Sequence, residues 1–147
     1  MVFYSLTPNK LFQHLVKKVS EFNSSPTEEG MYEVIFPLCH LCEWICPKGK
    51  SSYENKDEKC LTKEEILHKK LYGIKSYETV RLLCNNAKHY NDRKGLSKRI
   101  SSLKGARVGL MRVGDLLGIT HFMIDGEEVR SVFWEVFLAY REFFDKP

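Results

Sequence analysis

The fold class is decided by residues 119–145, which read ITHFMIDGEEVRSVFWEVFLAYREFFD. Residues 119–124 are rich in β-branched and aromatic side chains, which predicts a strand. Asp125-Gly126 comes next, and this dipeptide is typical of a two-residue hairpin, so residues 127–129 should form a short return strand. The rest of the stretch predicts a helix, because its apolar residues recur at the three-to-four spacing of one helical face: Val132, Phe133, Val136, Phe137, Tyr140, Phe143 and Phe144.

Two amphipathic helices are predicted near the N-terminus. Thr7-Pro8 supplies a side-chain cap and a proline at the first helical position, and the apolar spacing then predicts a helix over residues 8–23. Ser25-Pro26-Thr27-Glu28 has the form of a capping box, with Ser at the cap and Glu three residues later. It opens a second helix, residues 26–46, which Pro37 interrupts because proline has no backbone N–H to donate.

Two more helices are predicted in the middle of the chain. Thr62 followed by Glu65 is another capping box, and the helix that it opens should end near Gly73. Ser76 is the expected cap of a fourth helix that runs to about His89.

The segments between these helices are polar. Residues 47–60 and 92–106 are expected to be flexible loops, while the imperfect alternation of residues 107–113 suggests a strand. The sequence therefore predicts one domain over residues 1–147. Its fold class is mainly α: a bundle of four to five helices with a small β-hairpin before the C-terminal helix.

Composition excludes several classes of protein. The chain has 147 residues, 43% of them hydrophobic, which is enough to form a core and argues against disorder. No uncharged run approaches the ~20 residues of a membrane span, and the N-terminus lacks the pattern of a secretory signal. Five cysteines, an odd number, favour reduced thiols. We therefore expect a cytoplasmic protein without a membrane partner.

Positive charge is concentrated in one segment. Residues 93–112 contain seven basic residues and no acidic one, so the rest of the chain is net acidic although the whole carries a formal charge of +4. Such a concentration favours an anionic partner, nucleic acid first. The alternative is a solvated loop whose charges only keep the protein soluble.

The cysteines allow a zinc site but fit a core better. Cys39, Cys42, Cys46 and Cys60 would supply four thiols. The first three, however, lie at i, i+3 and i+7 of the second helix, on its apolar face, and a buried free cysteine behaves as a small hydrophobe. We expect core positions and neither a metal nor a cofactor, with structural zinc as the alternative.

A polar cluster is predicted on the second helix. His40, Glu43 and Trp44 lie at i, i+3 and i+4 and so project from one side, roughly opposite the cysteines. Besides binding a ligand, they could form a polar seam between packed helices, with Trp44 as a buried anchor. We expect Trp44 to lie close to residues 88 and 89 at the end of the fourth helix.

A second polar cluster is predicted on the fourth helix. Arg81, Asn85 and Lys88 share a face, with Asn86 and His89 at its edge. Asparagine is unfavourable within a helix, because its amide competes for backbone hydrogen bonds, so two in succession suggest a binding role. A polar seam between helices is again the alternative.

These motifs resemble those of a set of bacterial and phage proteins that have no settled biochemical function. The shared pattern is His-Leu-x-(Asp/Glu)-Trp, here at residues 40–44, and then Asn-x-x-Lys-His, here at residues 85–89. A hairpin with an Asp-Gly turn and an aromatic-rich C-terminal helix come next. The resemblance covers residues 27–144.

The fourth helix is more remotely similar to the signature helix of the HEPN superfamily, whose helical bundles include RNases of toxin–antitoxin, abortive-infection and CRISPR systems. The motif of that superfamily is Arg, a polar residue and then His. Asn85 and His89 match the last two, whereas Cys84 occupies the arginine position and the nearest arginine is Arg81. In the RNases the arginine is expected to bind the phosphate while the histidine assists attack by the 2′-OH, and a thiol cannot supply that charge.

The resemblance implies a HEPN-like, non-catalytic binding module of a prokaryotic or viral defence or counter-defence system, which engages RNA or a nucleoprotein. One alternative is a metal-independent HEPN-type RNase, a toxin, with Arg81, Asn85 and His89 as its catalytic residues. Another is a small inhibitor or regulator that binds a protein partner, and a homodimer is also left open. The candidate binding residues are the two clusters and the basic segment: His40, Glu43, Trp44, Asn85, Asn86, Lys88, His89, Arg93, Lys94, Lys98, Arg99, Lys104, Arg107 and Arg112.

Overall fold

The computed structural model describes residues 6–89 and 95–145, and it is mainly helical there, as predicted. The helices in these ranges are α1 (Pro8–Ser24), α2 (Glu28–Ile45), α3 (Lys63–Tyr72), α4 (Lys75–His89), the one-turn α5 (Leu96–Arg99) and α6 (Val129–Asp145). A three-stranded antiparallel sheet of β1 (Ile100–Lys104), β2 (Thr120–Ile124) and β3 (Glu127–Glu128) precedes α6. Among these helices none is long and apolar enough to cross a lipid bilayer.

Side-chain caps begin the first two helices. Thr7 caps α1 as predicted, its Oγ1 accepting from Lys10 N–H at 3.2 Å. The predicted cap of α2 at Ser25 is wrong, because Thr27 takes that position and accepts from Gly30 N–H at 2.9 Å. Pro37 lies within α2 without ending it.

The predicted cap of α3 is confirmed, whereas the predicted cap of α4 is wrong. The capping box of Thr62 and Glu65 is confirmed, since each side chain accepts a hydrogen bond from the backbone of the other residue. Ser76 is not the cap of α4, which begins one residue earlier. Its hydroxyl donates instead to Glu135 of α6 at 2.5 Å, so this side chain joins two helices.

The sheet contains the predicted hairpin and one strand in an unexpected place. Asp125 and Gly126 have φ of 50° and 82°, the two positive values of a type I′ turn, between β2 and β3. The predicted strand at residues 107–113 is wrong, because those residues form exposed turns. β1 pairs with β2 instead, with Ile100 opposite Ile124 and Lys104 opposite Thr120.

Both segments that were expected to be loops contain short regular elements. Residues 92–106 include α5 and β1 among the residues described. Residues 47–60 include two 3-10 helices, Gly49–Ser52 and Glu58–Cys60, and the buried Tyr53 hydroxyl lies 2.7 Å from His68 Nδ1 of α3. The flexibility of these segments stays a prediction.

Helix α6 is the centre of the hydrophobic core. It packs against α1, α2, α3 and α4 and against β2 and β3 of the sheet. Its predicted apolar stripe is confirmed, since Val132, Phe133, Val136, Phe137 and Tyr140 are buried, and each such side chain stabilises the fold by about 1.5–3 kcal/mol on burial. The core also includes Cys39, Cys42, Cys46 and Cys84.

A buried ionic network, formed by Asp115, His121, Glu128 and Arg130, attaches the long connection between β1 and β2 to the body. Arg130 is 2% exposed and donates to Glu128 and to both carboxylate oxygens of Asp115, at 2.8 and 3.0 Å. His121 is fully buried, with its Nε2 3.1 Å from the Gly105 carbonyl oxygen. The connection has little regular structure, so these polar contacts determine its position.

Candidate functional site

Two buried tyrosines hold the part of α2 that carries the candidate side chains. The Tyr140 hydroxyl donates to the Leu38 carbonyl at 2.7 Å and accepts from Cys42 N–H at 3.1 Å. These two backbone groups are four residues apart, which is the spacing of a C=O and an N–H that bond to each other in an α-helix, so the hydroxyl bridges one such pair. The Tyr77 hydroxyl of α4 donates to the Cys39 carbonyl at 3.0 Å. Both contacts orient the turn of α2 that faces α4.

At this contact between α2 and α4 the structure brings together Cys39, His40 and Cys84, here called the thiol–imidazole cluster. One ligand atom from each residue lies within 4.8 Å of the other two, and Cys84 Sγ is 3.5 Å from His40 Nε2. His40 Nδ1 faces Glu43 Oε2 at 3.2 Å. The two thiols are buried, whereas the imidazole is about one-third exposed.

The two thiols differ in acidity because they share a hydrogen bond. Donation from Cys39 lowers the pKa of Cys84, and the neighbouring His40 lowers it further, against the opposing effect of burial. The same contact, together with burial, raises the pKa of Cys39.

A polar groove lies beside the cluster on α4. Its volume is about 290 Å³, and it is lined by Arg99 at the end of α5 and by six residues of α4: Lys75, Glu78, Thr79, Arg81, Leu82 and Asn85. We call it the α4 groove. Three of these seven side chains are cationic and one is anionic, so the groove suits an anionic ligand. Arg81 and Asn85, which are predicted to share a face of the fourth helix with Lys88, both line the groove.

An aromatic stack adjoins the groove. The Arg81 guanidinium lies 4.5 Å above the Tyr72 ring, and that ring stacks on His68 with 4.3 Å between centroids. Tyr72 is about half exposed. Flat aromatic and guanidinium surfaces near cations are the contacts that unpaired nucleic-acid bases use.

Three arginines of the basic segment bond within the protein. Arg99 donates to both carboxylate oxygens of Asp125, with Nε–Oδ1 at 2.9 Å and NH2–Oδ2 at 2.5 Å. Arg107 Nε donates to a backbone carbonyl at 3.1 Å, and Arg112 donates to the Ser131 hydroxyl at 2.8 Å. Only the first of these partners is charged, so Arg107 and Arg112 keep their positive charge uncompensated by a bonded carboxylate.

The described lysines of the basic segment are exposed to solvent. Lys98 and Lys104 are exposed, and neither pairs with a carboxylate in the part of the chain that the structure describes. Arg93 and Lys94 lie outside the described residues. The basic charge thus extends from the α4 groove along β1 rather than along one helix face.

The predicted cluster on α2 is divided by the structure. His40 and Glu43 are joined, but Trp44 is 38% exposed in a separate shallow groove with Pro8, Lys63 and Phe143. Trp44 is predicted to lie close to Lys88 and His89, but the side chains of these two residues are outside the described part of the structure. Asn86 is half-buried, and its side-chain oxygen has no hydrogen-bond partner among the residues described.

Sequence reasoning missed the roles of Cys84 and Lys75. Cys84 is predicted on the apolar side of the fourth helix, and nothing in its spacing indicates that it meets Cys39 and His40 more than 40 residues earlier in the chain. Lys75 precedes the predicted cap at Ser76, whereas it lies in the first turn of α4.

Comparisons of the chain with protein-family models, with curated proteins and with solved structures each found no match. The site is therefore interpreted from its own geometry.

Proposed function

We propose that the protein is a non-catalytic helical module that binds single-stranded RNA through the α4 groove and the basic surface that continues from it. The observation that carries this proposal is the convergence of Lys75, Arg81 and Arg99 around a cavity of about 290 Å³. The HEPN-like resemblance of α4 agrees with it. A role in defence or counter-defence stays a prediction from that resemblance.

The charges of the groove support a phosphate backbone as its ligand. Lys75 and Arg81 pair with no carboxylate among the described residues, whereas Arg99 is bonded to Asp125 through Nε and NH2. Among the described residues that line the groove, Glu78 supplies the only carboxylate. Lysine and arginine contacts to phosphates release condensed counterions, which is the main driving force of sequence-independent binding.

The aromatic stack supports unpaired bases over a duplex. A base can stack on the Arg81 guanidinium, which lies over the Tyr72 ring at 4.5 Å from its centroid. Cys84, at the position where the related RNases carry arginine, is 1% exposed and contacts Cys39 and His40. That position therefore supplies no cation to a phosphate in the groove, which supports binding rather than cleavage.

The proposal is tested by the salt dependence of binding to a short single-stranded oligouridylate. The triple variant Lys75→Ala, Arg81→Ala, Lys98→Ala should bind more weakly than wild type. Each phosphate contact contributes about −0.7 to the slope of log K against log salt on single strands, so the slope should flatten by about 2. Fluorescence anisotropy over a range of salt concentrations measures both the affinity and this slope.

A matched control removes the same charge elsewhere. Lys17, Lys50 and Lys59 are exposed outside the groove, and the triple variant Lys17→Ala, Lys50→Ala, Lys59→Ala should keep the wild-type slope. Equal weakening by both triple variants would contradict a defined site, as would an absence of binding at low salt. Appearance of cleaved products would favour the RNase alternative.

A second candidate, binding to a protein partner, is favoured by the connection between β1 and β2. It carries four apolar side chains that are 69–108% exposed: Val108, Val113, Leu116 and Leu117. Exposed apolar residues grouped on one connection are typical of a contact with another protein. This candidate would take precedence if wild type binds no RNA.

A further inference from the structure

We propose that Cys39, His40 and Cys84 bind a Zn²⁺ ion, with Glu43 orienting the imidazole. The inference is independent of RNA binding, since none of these four side chains lines the α4 groove. It departs from the expectation that the chain holds no metal, for which the zinc alternative was a site formed by Cys39, Cys42, Cys46 and Cys60.

The distances fit a tetrahedral metal. Zn–S bonds are ~2.3 Å and Zn–N bonds are ~2.0–2.1 Å, so sulfur and nitrogen on one tetrahedral zinc lie ~3.6 Å apart. Cys84 Sγ and His40 Nε2 are 3.5 Å apart. The ligand atom of Cys39 is within 4.8 Å of both, so only a small change of side-chain rotamer would close the site.

The second nitrogen of His40 is held as in protein zinc sites. Ligating histidines usually donate their other ring N–H to a carboxylate or carbonyl, which fixes the ring orientation and strengthens the donor. Here Nδ1 faces the Glu43 carboxylate at 3.2 Å while Nε2 faces the sulfur of Cys84. The imidazole is therefore already in the orientation that a metal at Nε2 requires.

The donor set selects a soft divalent ion and permits its burial. Thiolate and imidazole ligands favour zinc over magnesium or calcium, which take oxygen ligands. Binding Zn²⁺ to two thiols and a neutral imidazole forms two Zn–S bonds and releases two protons to solvent. The centre then has no net charge, so little desolvation opposes its half-buried position.

The fourth coordination position is left to water. Three protein ligands with one open position are typical of reactive rather than purely structural zinc sites. His40 is about one-third exposed, so solvent reaches this side of the cluster. Cys42 and Cys46, the remaining buried thiols of α2, are not members of the cluster.

The test uses the reduced, metal-free full chain titrated with Co²⁺ as a spectroscopic probe and then with Zn²⁺ in competition. Wild type should bind one Co²⁺ per chain, with the sulfur-to-cobalt charge-transfer band and the intense visible bands of a tetrahedral site. Zn²⁺ should then displace it. Cys84→Ser and His40→Ala should lose these bands, with far-ultraviolet circular dichroism showing that each variant is folded.

Two kinds of variant keep the test decisive if the buried cysteine variant does not fold. Glu43→Gln changes an exposed side chain, and it should keep one tetrahedral Co²⁺ while weakening affinity about 10- to 100-fold. Cys46→Ser and Cys60→Ser are controls that should keep wild-type affinity. The proposal is overturned if wild type shows no tetrahedral bands, if Glu43→Gln binds as tightly as wild type, or if the Cys46 and Cys60 variants lose the metal.

Discussion

The buried ionic network and the thiol–imidazole cluster are both built from titratable side chains, yet they differ in how their polar groups are satisfied. In the network, Arg130 is 2% exposed and its charge meets two carboxylates, those of Asp115 and Glu128. In the cluster, His40 is about one-third exposed and its Nε2 has only a thiol as partner.

The difference shows how a structural polar cluster can be distinguished from a candidate site. A buried charge must be paired, because unpaired burial costs several kcal/mol, and in the network Arg130 is paired with Asp115 and Glu128. The buried Nδ1 of His121 lies 3.5 Å from Glu128 and has no hydrogen-bond partner in the described part of the chain. The cluster consists of thiol and imidazole groups, which are metal-binding donors. Paired charges such as those of Arg130 stabilise the fold, whereas thiol and imidazole donors that face one another can bind a metal ion.

The largest effect should come from opening the network. Arg130→Ala removes the only cation that bonds both carboxylates and leaves them buried, which should lower the free energy of unfolding by about 3–5 kcal/mol. Urea unfolding at neutral pH measures it. Arg141→Ala, at an exposed arginine of the same helix, should change stability by no more than about 0.5 kcal/mol. Similar losses of stability in both variants would contradict the conclusion that the buried charges of the network stabilise the fold.

A smaller effect should appear on acidification. Bonding to Arg130 lowers the pKa of Asp115 from its ordinary value of 3.8 to about 2. A lowered pKa means that the folded state favours the carboxylate, so this contribution to stability is complete above pH 3.8 and is lost as the pH falls towards 2. The stability difference between wild type and Asp115→Asn should therefore shrink from pH 5 to pH 2. A difference that stays constant in urea unfolding over this range would contradict the pairing.

The smallest effect should come from the tyrosine that supports the cluster. Tyr140→Phe removes the hydroxyl that bonds the Leu38 carbonyl and Cys42 N–H, but these two backbone groups can then bond each other, so the cost should be about 1 kcal/mol. Tyr32→Phe, at a half-exposed tyrosine of α2, should cost less than about 0.5 kcal/mol. Equal thermal stability of the two variants would show that the Tyr140 hydroxyl does not support α2.

Local signals predicted most of the elements. Thr7, the Thr62–Glu65 capping box and the Asp125-Gly126 turn act through residues a few positions away, and the structure confirms each. The errors have both local and distant causes. Thr27, two residues after the predicted cap Ser25, caps α2 instead. Ser76 bonds a glutamate of α6 instead of capping α4, because that carboxylate lies within reach only in the folded chain.

The candidate site was predicted only in part, for the same reason. The shared face of Arg81 and Asn85 follows from helical spacing, and the pairing of His40 with Glu43 follows from i, i+3 geometry. The meeting of His40 with Cys84 depends on how α2 packs against α4, and spacing along either helix does not contain that information.

Local patterns in the sequence specify the helical class, the hairpin before α6, the apolar stripe of α6 and the segment where positive charge accumulates. Each depends on periodicity or on turn chemistry within a few residues. Tertiary contacts are needed to explain why residues 100–104 form β1. Apolar and polar residues alternate only weakly in this segment, so its pairing with β2 specifies the strand. The burial of Arg130 and the convergence of Cys39, His40 and Cys84 likewise depend on contacts between elements far apart in the chain.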